Sequence, residues 1–526
     1  MVLGNPPYVR QELFSDLKPY LQDHYVAYHG VADLYVYFYE LGLRLLKPGG
    51  RLGYISSSSF FKTSSGEPLR RLLTTACQLE VLVDFGDWQV FEGVTTYPAV
   101  ITAQNLVDGA KIDAAKPAKF LQLTAAVADL SAFFEDNKQS LDLAQLVGKG
   151  GEGDDAKAAA EWQLEGVEAA ALRAKLTRGH PTLKEAVGSP YRGVLTGLNE
   201  AFVIDRATRD KLVYADIGSE GLFKPFLEGK DIKRWQVESE DRWLILMPKG
   251  WTRGAMNAAT VMDEAVAWAW LTGKHPALAA YLSRFLEAAR KRTDQGEYWW
   301  ELRACAYYAK FEQAKIYYPV ISQGAKFCFD DKGYYSNDKG FFVPSNEQSL
   351  LGLLNSRAIW FFIQGVCSPL RGGEWRFELR GQNIETLPIP TSTPAQQTQL
   401  STLAEAAAQA ASERLQTQRN FARRIHDLLP NPPSKGAQTT LGEALSRWWL
   451  LADFTAFQFE VTKRFKADIP LKDRNDWEQW FSAERIRIHQ LSANMAATER
   501  SIDEVVYTLF GLDAAEVALI ERTVQR

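Results

Sequence analysis

Cysteine, histidine and methionine are scarce in this chain, at four, six and five among 526 residues. Cys77, Cys305, Cys328 and Cys367 stand far apart with no CxxC pair. That spacing offers no zinc framework and suits reduced thiols in a cytosol. The histidines show no HExxH or similar ligand spacing, so no metal is expected. No apolar run reaches the roughly 18 residues that span a bilayer, which excludes a transmembrane helix. The opening residues MVLGNPPYVRQE lack a basic stretch followed by an apolar one, so export is not expected and the cytoplasm is the expected location. Nor is there an excess of one charge, since the formal net charge is −4. Such a total neither announces nor excludes a nucleic-acid partner when one domain of several does the binding. What is present is ordinary for a globular protein, with 46% hydrophobic and 24% charged residues. This excludes whole-chain disorder, collagen and disulfide scaffolds. The length predicts three or four domains at about 150 residues each.

The first hundred residues alternate strand and helix. Met1 to Leu3 reads as a strand stub that runs into the turn Gly4-Asn5-Pro6-Pro7-Tyr8. A helix follows over about Ala32 to Leu46, stopped by Lys47-Pro48-Gly49-Gly50. Leu52 to Ile55 reads as a buried strand, Ser56 to Ser59 as its loop, Pro68 to Ala76 as a helix, and Glu80 to Phe85 and Pro98 to Gln104 as strands. Such alternation predicts a parallel, helix-covered α/β sheet, with ligands beyond the carboxyl ends of its strands. Asn5 to Tyr8, Ser56 to Phe61 and Gly86 to Phe91 are expected at those ends, around one crevice.

Asn5-Pro6-Pro7-Tyr8 carries a chemical possibility. An exocyclic amine on a nucleobase is a poor nucleophile, because its lone pair is delocalised into the ring. Two acceptors on its two hydrogens favour a tetrahedral nitrogen. Asn5 offers a side-chain carbonyl and Pro6 a backbone carbonyl, and the prolines fix the turn without adding N–H groups. Tyr8 offers a flat face for an extruded base. The competing reading of the same four residues is a rigid loop.

GNPPYVRQE, ADLYVYFYELGLRLLKPGGRLGYISSSSFFK and DFGDWQVFEGVTTYPAV resemble the later motifs of gamma-ordered N6-adenine DNA methyltransferases of restriction–modification systems. The resemblance implies that Asn5 and Pro6 accept from the adenine amine, with Pro7 holding the turn, and that Tyr8 stacks on the base. It implies that Phe91 contacts the flipped base from its other face, and that Asp33, Leu34 and Tyr35 line the S-adenosylmethionine pocket. Against these stand core packing for Phe91 and a helix N-terminal acid for Asp33. In this family a glycine-rich turn before the NPPY motif grips the cofactor. The GxGxxG at Gly148, Gly150 and Gly153 follows no strand and reads as a linker. The expected catalytic domain is therefore the C-terminal half of a Rossmann-like methyltransferase sheet. The missing half would be lost by truncation, the favoured expectation, or supplied by another chain.

SPYRGVLTGLNEAFVID, LFKPFLEGKDIKRW, AKIYYPVISQGAKFCFDDKGYYSNDKGFFVP and LLGLLNSRAIWFFI resemble the TaqI-like specificity domain of such enzymes. Two basic groups there, Lys224, Lys230, Lys233 and Arg234, and Arg371, Arg376 and Arg380, are candidates for DNA contact. A solvated loop with ion pairs to Glu374 and Glu378 is the alternative for the second group. Arg290-Lys291-Arg292 reads as a solvated helix face. After Thr393-Pro394-Ala395-Gln396, a helix start with a capping box, the pattern turns helical to the end. The expected domains are a partial catalytic domain at 1–147, a linker at 148–160, an α+β target-recognition domain at 161–392 and a helical region at 393–526. No PD…(D/E)xK constellation is present, so a nuclease, if associated, would lie upstream or on another chain.

The reading is a site-specific adenine-N6 DNA methyltransferase acting on double-stranded DNA with S-adenosylmethionine, inactive on its own. The alternative is a non-catalytic DNA-recognition subunit that docks a separate cofactor-binding chain. RNA and protein-glutamine methyltransferases also carry NPPY, but usually with small recognition modules.

Overall fold

A computed structural model of the chain describes all residues except 87, 89, 92–96, 107–109, 111, 114, 124–126, 144, 145, 147–161, 163, 371–375, 431, 433, 434, 525 and 526. The expected linker with Gly148, Gly150 and Gly153, and the candidate Arg371, lie outside the described residues. The chain forms two compact units, residues 1–178 with 368–376, and residues 179–367 with 377–524.

The first unit is built on one sheet of β1 (Val2–Gly4), β2 (Arg51–Ser57), β3 (Cys77–Asp84), β4 (Pro98–Asn105), β5 (Ala118–Gln122) and β6 (Gln139–Leu141), in the order β1-β2-β4-β3-β5-β6. Alternation along β2 buries Leu52, Tyr54 and Ser56. Helix α1 (Tyr35–Arg44) buries Tyr35, Val36, Tyr37, Tyr39 and Leu43, and helix α2 (Glu67–Ala76) buries Leu69 and Leu73. Gly42 lets α1 approach the sheet, since a Cβ there would lie 2.6 Å from the Tyr54 hydroxyl and 2.7 Å from Leu52 Cδ1. The helix stops where the sequence predicts. Gly49 takes a φ of 76°, and its N–H donates to the Asn105 carbonyl at 2.9 Å.

The α/β class and the Rossmann-like character hold, but the expected all-parallel sheet does not. β1 runs parallel to β2, and β3 to β5. β4 runs antiparallel to both β2 and β3, and β6 antiparallel to β5. A parallel neighbour needs a crossover, usually helical. The link between β3 and β4 forms no helix among its described residues, so the chain reverses instead. β4 therefore begins beside the carboxyl ends of its neighbours, with Pro98 opposite Ser57 and Ala99 opposite Asp84.

The second unit holds β7 (Tyr191–Arg192), β8 (Val203–Asp205), β9 (Phe223–Leu227), β10 (Arg242–Ile245), β11 (Lys315–Pro319), β12 (Ile321–Ser322), β13 (Cys328–Asp330), β14 (Tyr335–Ser336) and β15 (Gly340–Pro344). Two four-stranded sheets result, β14-β9-β10-β8 and β13-β11-β15-β7, antiparallel apart from the β14–β9 pair. After β15 the unit includes helices α3 (Gln348–Leu354), α4 (Arg357–Val366), α5 (Pro394–His426), α6 (Phe454–Phe465), α7 (Arg474–Leu509) and α8 (Ala514–Val524). The predicted capping box opens α5: the Thr393 hydroxyl accepts from Gln396 N at 3.3 Å, and Gln396 Oε1 accepts from Thr393 N at 2.9 Å. Small residues Ala404, Ala407 and Ala411 are buried on α5, which packs against α3 and along α7.

Arg290 and Lys291 are exposed as a solvated helix face requires, but Arg292 is not part of it. The helix ends at Lys291, and the Arg292 guanidinium turns inward. It donates to the carbonyls of Thr196, Asp294, Trp299 and Glu301 and lies 4.2 Å over the Phe202 ring. Burial lowers its pKa to about 10.

One buried carboxyl makes stability depend on pH. Burial raises Asp503 to about 6, against the Arg357 N–H at 2.8 Å and the Arg357 guanidinium, which favour its charged form. The folded state holds this proton more tightly than the unfolded chain. The contribution of Asp503 is therefore most favourable below about pH 4 and is lost as pH rises through about 6. Relative to wild type, Asp503→Asn should gain on the order of 2 kcal/mol between about pH 4 and pH 7. Urea unfolding of both proteins across that range measures it, and parallel curves would refute it.

Candidate active site

β1 delivers Asn5-Pro6-Pro7-Tyr8 to the carboxyl edge of the first sheet. The turn Ser58–Phe61 after β2 and the link from β3 to β4 reach the same edge. Pro6 is buried, Asn5 and Pro7 are exposed, and Tyr8 is half-buried. The Asn5 carbonyl is thus open to a ligand, while Pro6 anchors the turn. The Tyr8 hydroxyl donates to the Ile55 carbonyl on β2 at 3.3 Å, and burial raises its pKa, so it stays a neutral phenol.

Behind Tyr8 stands Tyr35, with ring centroids 6.3 Å apart and planes inclined at 44°. Tyr35 is buried and its hydroxyl pairs with Ser59 Oγ at 3.1 Å. Burial pushes its pKa to about 12. Tyr35, one of the three residues assigned to the cofactor pocket by resemblance, backs Tyr8 from a buried position. Asp33 and Leu34 are half-buried and lace the exit of the turn to the start of α1. Leu34 N donates to the Val9 carbonyl at 3.0 Å, and Gln11 N donates to Asp33 Oδ1 at 3.3 Å. Burial raises the Asp33 carboxyl, and the Gln11 bond opposes that shift.

The serine-rich turn after β2 is held more firmly than its composition suggests. Ser58 N donates to the Tyr97 carbonyl at 2.7 Å, and Ser56 Oγ pairs with the buried Tyr39 hydroxyl at 2.8 Å. Arg70, buried on α2, donates to the carbonyls of Phe60 at 2.5 Å and Thr63 at 2.8 Å. Gly66 closes against this turn, where a Cβ would meet the Phe60 carbonyl oxygen at 2.2 Å. Sequence reasoning passed over Arg70. Its only signal is its place beside Leu69 and Leu73 on the buried face of α2. Phe91 is half-buried on the β3–β4 link, and no ring contact joins it to Tyr8 among the described residues. On the same link Gly86, at a φ of 57°, donates to Asp84 Oδ1 at 3.0 Å.

In the second unit most of the candidate DNA contacts already have partners. Lys224 pairs with Glu312 at 3.0 Å, Lys230 with Glu228 at 3.2 Å and Arg380 with Glu378 at 2.9 Å. Arg234 donates to the Asn355 carbonyl at 2.8 Å and pairs with Glu499 at 3.0 Å, so it ties its turn to α7. Arg376, which belongs to the first unit, is half-buried. Lys233 is also half-buried and makes no ion pair among the described residues. Among the described residues no cluster of three histidine, cysteine or acidic side chains could hold a metal, and no helix is long and apolar enough to cross a membrane.

Residues 1–91 match the family model of the Eco57I restriction-modification methylase, and residues 224–389 that of the TaqI-like C-terminal specificity domain. Residues 393–506 match a domain of unknown function. The chain is similar to the type II methyltransferase M.XhoI of Xanthomonas vasicola, 26% identical over 397 residues, which cover 74% of this chain and 68% of that protein. It is similar to M.PaeR7I of Pseudomonas aeruginosa, 26% identical over 422 residues, covering 77% and 67%. Among solved structures it is similar to the type IIL restriction-modification enzyme MmeI in complex with DNA, at a TM-score of 0.47 and 14% identity, over 99% of this chain and 56% of that one.

Proposed function

We propose, from the chain's resemblance to adenine methyltransferases of restriction–modification systems, that it is the base-handling and target-recognising part of a site-specific DNA methyltransferase acting on N6 of adenine. The observation that carries this reading is the turn Asn5 to Tyr8. It stands at the carboxyl end of β1 with an exposed amide, a buried proline and a tyrosine ring fixed by Ile55 and backed by Tyr35.

In this reading an adenine leaves the duplex and stacks on Tyr8. Asn5 Oδ1 and the Pro6 carbonyl accept its two amine hydrogens, which localises the nitrogen lone pair toward a methyl carbon. S-adenosylmethionine supplies that methyl as an electrophile on a sulfonium. Asp33 and Leu34 fit a place at its border, because both sit at the start of α1, laced to the turn, and remain half-exposed. The principal grip on the cofactor is proposed to come from a glycine-rich turn other than the segments described above. The TaqI-like segment would select the site, with double-stranded DNA as the partner, and Phe91 would close on the base from its other face.

Nucleoside mass spectrometry after incubation with S-adenosylmethionine and duplex DNA tests the proposal. It is run with the chain alone and with an upstream cofactor-binding polypeptide supplied. N6-methyladenine is expected, dependent on the added polypeptide. Methyl groups on cytosine, on RNA or on protein would overturn it.

A further inference from the structure

Lys233 and Lys326 lie near one junction of two segments, and neither has a counter-ion among the described residues. Ile232 and Val237 pair antiparallel around a tight turn whose tip is Arg234-Trp235, and Lys233 N donates to the Gln236 carbonyl at 3.1 Å. This turn lies along the segment leading into β13. Trp235 bridges Cys328 in parallel, and Trp235 N donates to the Phe327 carbonyl at 3.0 Å. That bond joins the two segments beside both lysines, since Lys233 lies in the same tight turn and Lys326 adjoins Phe327, and it brings them near enough for the charge of one to act on the other.

Both lysines are half-buried, and neither makes a hydrogen bond or ion pair through its ammonium group among the described residues. The other basic side chains nearby are committed, Lys230 to Glu228 and Arg234 to Glu499 and Asn355. Burial lowers the pKa of Lys326, and the Lys233 charge lowers it further. Two ammonium groups at one junction repel each other. A fold that keeps them together without a carboxylate leaves a place for an anion.

The backbone holds this arrangement under strain. Trp235 takes a φ of 74°, a conformation that bulky residues avoid. The turn keeps it because the indole is buried and its Nε1–H donates to Glu499 Oε1 at 2.7 Å. Strain of this kind persists where the surroundings over-determine it, and it gathers at ligand clamps.

We propose that Lys233 and Lys326 together form a clamp for one backbone phosphate of the target duplex, making Lys326 a positioning residue for target recognition. The clamp rests on the DNA-binding reading above. It carries no base information and sets the register of the specificity segment on the helix.

Binding of the full chain to a mixed-sequence duplex, followed across salt concentrations, tests it. Lys326→Gln should weaken binding to all sequences alike and lower the slope of log affinity against log salt by about 0.9. Lys326→Arg should restore most of the affinity. Adding Lys233→Gln to Lys326→Gln should cost less than Lys233→Gln alone, because the two share one phosphate. The unfolding midpoint of Lys326→Gln should stay level or rise as repulsion is relieved. A lower midpoint would overturn the clamp in favour of a packing role for the lysine. Wild-type binding with an unchanged slope in the variant overturns the clamp alone. No duplex binding by wild type overturns the DNA reading and the clamp together.

Discussion

Asn5→Ala should slow methyl transfer by on the order of a hundred- to a thousand-fold, the usual effect of losing one preorganised hydrogen-bond partner at a reacting atom. Binding of the duplex should change little, because the Asn5 side chain is exposed and makes no hydrogen bond among the described residues. The buried residue of the turn is Pro6. Tyr8 separates into two effects. Tyr8→Phe removes only the 3.3 Å bond to Ile55 and keeps the ring, so a loss of a few-fold is expected. Tyr8→Ala removes the stacking face, which is worth about 1–3 kcal/mol per base. Labelled-methyl transfer, in whichever assembly supports wild-type turnover, gives the rates, and gel retardation gives the binding. Equal losses of binding and rate in Asn5→Ala would remove that residue from the chemistry.

Asp330→Ala should lower the unfolding free energy of the second unit by about 3–5 kcal/mol. Lys315 on β11 and Asp330 on β13 are register partners, with Nζ to Oδ2 at 2.6 Å and side chains 0% and 1% exposed. Burial lowers the pKa of Lys315, and Asp330 opposes that shift. Asp330 also accepts the N–H groups of Lys332 at 2.9 Å and Tyr334 at 3.0 Å, so the turn after β13 depends on it. Alanine would leave a buried ammonium that keeps only the Phe311 and Gln313 carbonyls. Replacing both partners at once, Lys315→Met with Asp330→Leu, removes both charges and should recover most of the loss. Urea denaturation of wild type and the two variants distinguishes the cases. A double variant as unstable as Asp330→Ala would show that the turn, not the charge, sets the cost.

Local rules were the most legible. Thr393, Pro394 and Gln396 announce α5 because a capping box is satisfied within one turn of helix, whatever packs against it. Lys47-Pro48-Gly49-Gly50 ends α1 for a comparably local reason, the left-handed backbone at Gly49. Strand direction was not legible, since a period of two reads the same whichever way β4 runs. The candidate site was legible as far as Asn5 to Tyr8, a contiguous motif. The burial of Tyr35 beside Ser59 has no such signal, because Ser59 comes to it from another element. Arg234 reads as a free cation until Glu499, far along the chain, comes to meet it. Lys326 carries no sequence signal, because its meaning lies in Lys233 being brought near it by the fold and in the lack of a carboxylate partner among the described residues. Arg292 shows the converse, a basic run divided by the end of its helix, with its last member drawn into the core.

The pairing of β7 with β15 has a kinetic side. Tyr191 lies opposite Phe342, and β11, which pairs with β15 on its other edge, is also synthesised long after β7. Pairings so distant in sequence raise contact order, and loop-closure entropy must be met before the pairing contributes. During synthesis β7 waits for nearly the whole specificity segment to emerge, and the sheet closes only after Pro344 has left the ribosome. Nascent chains halted before that point would present β7 unpaired, and a chaperone that holds open edges would find its substrate there.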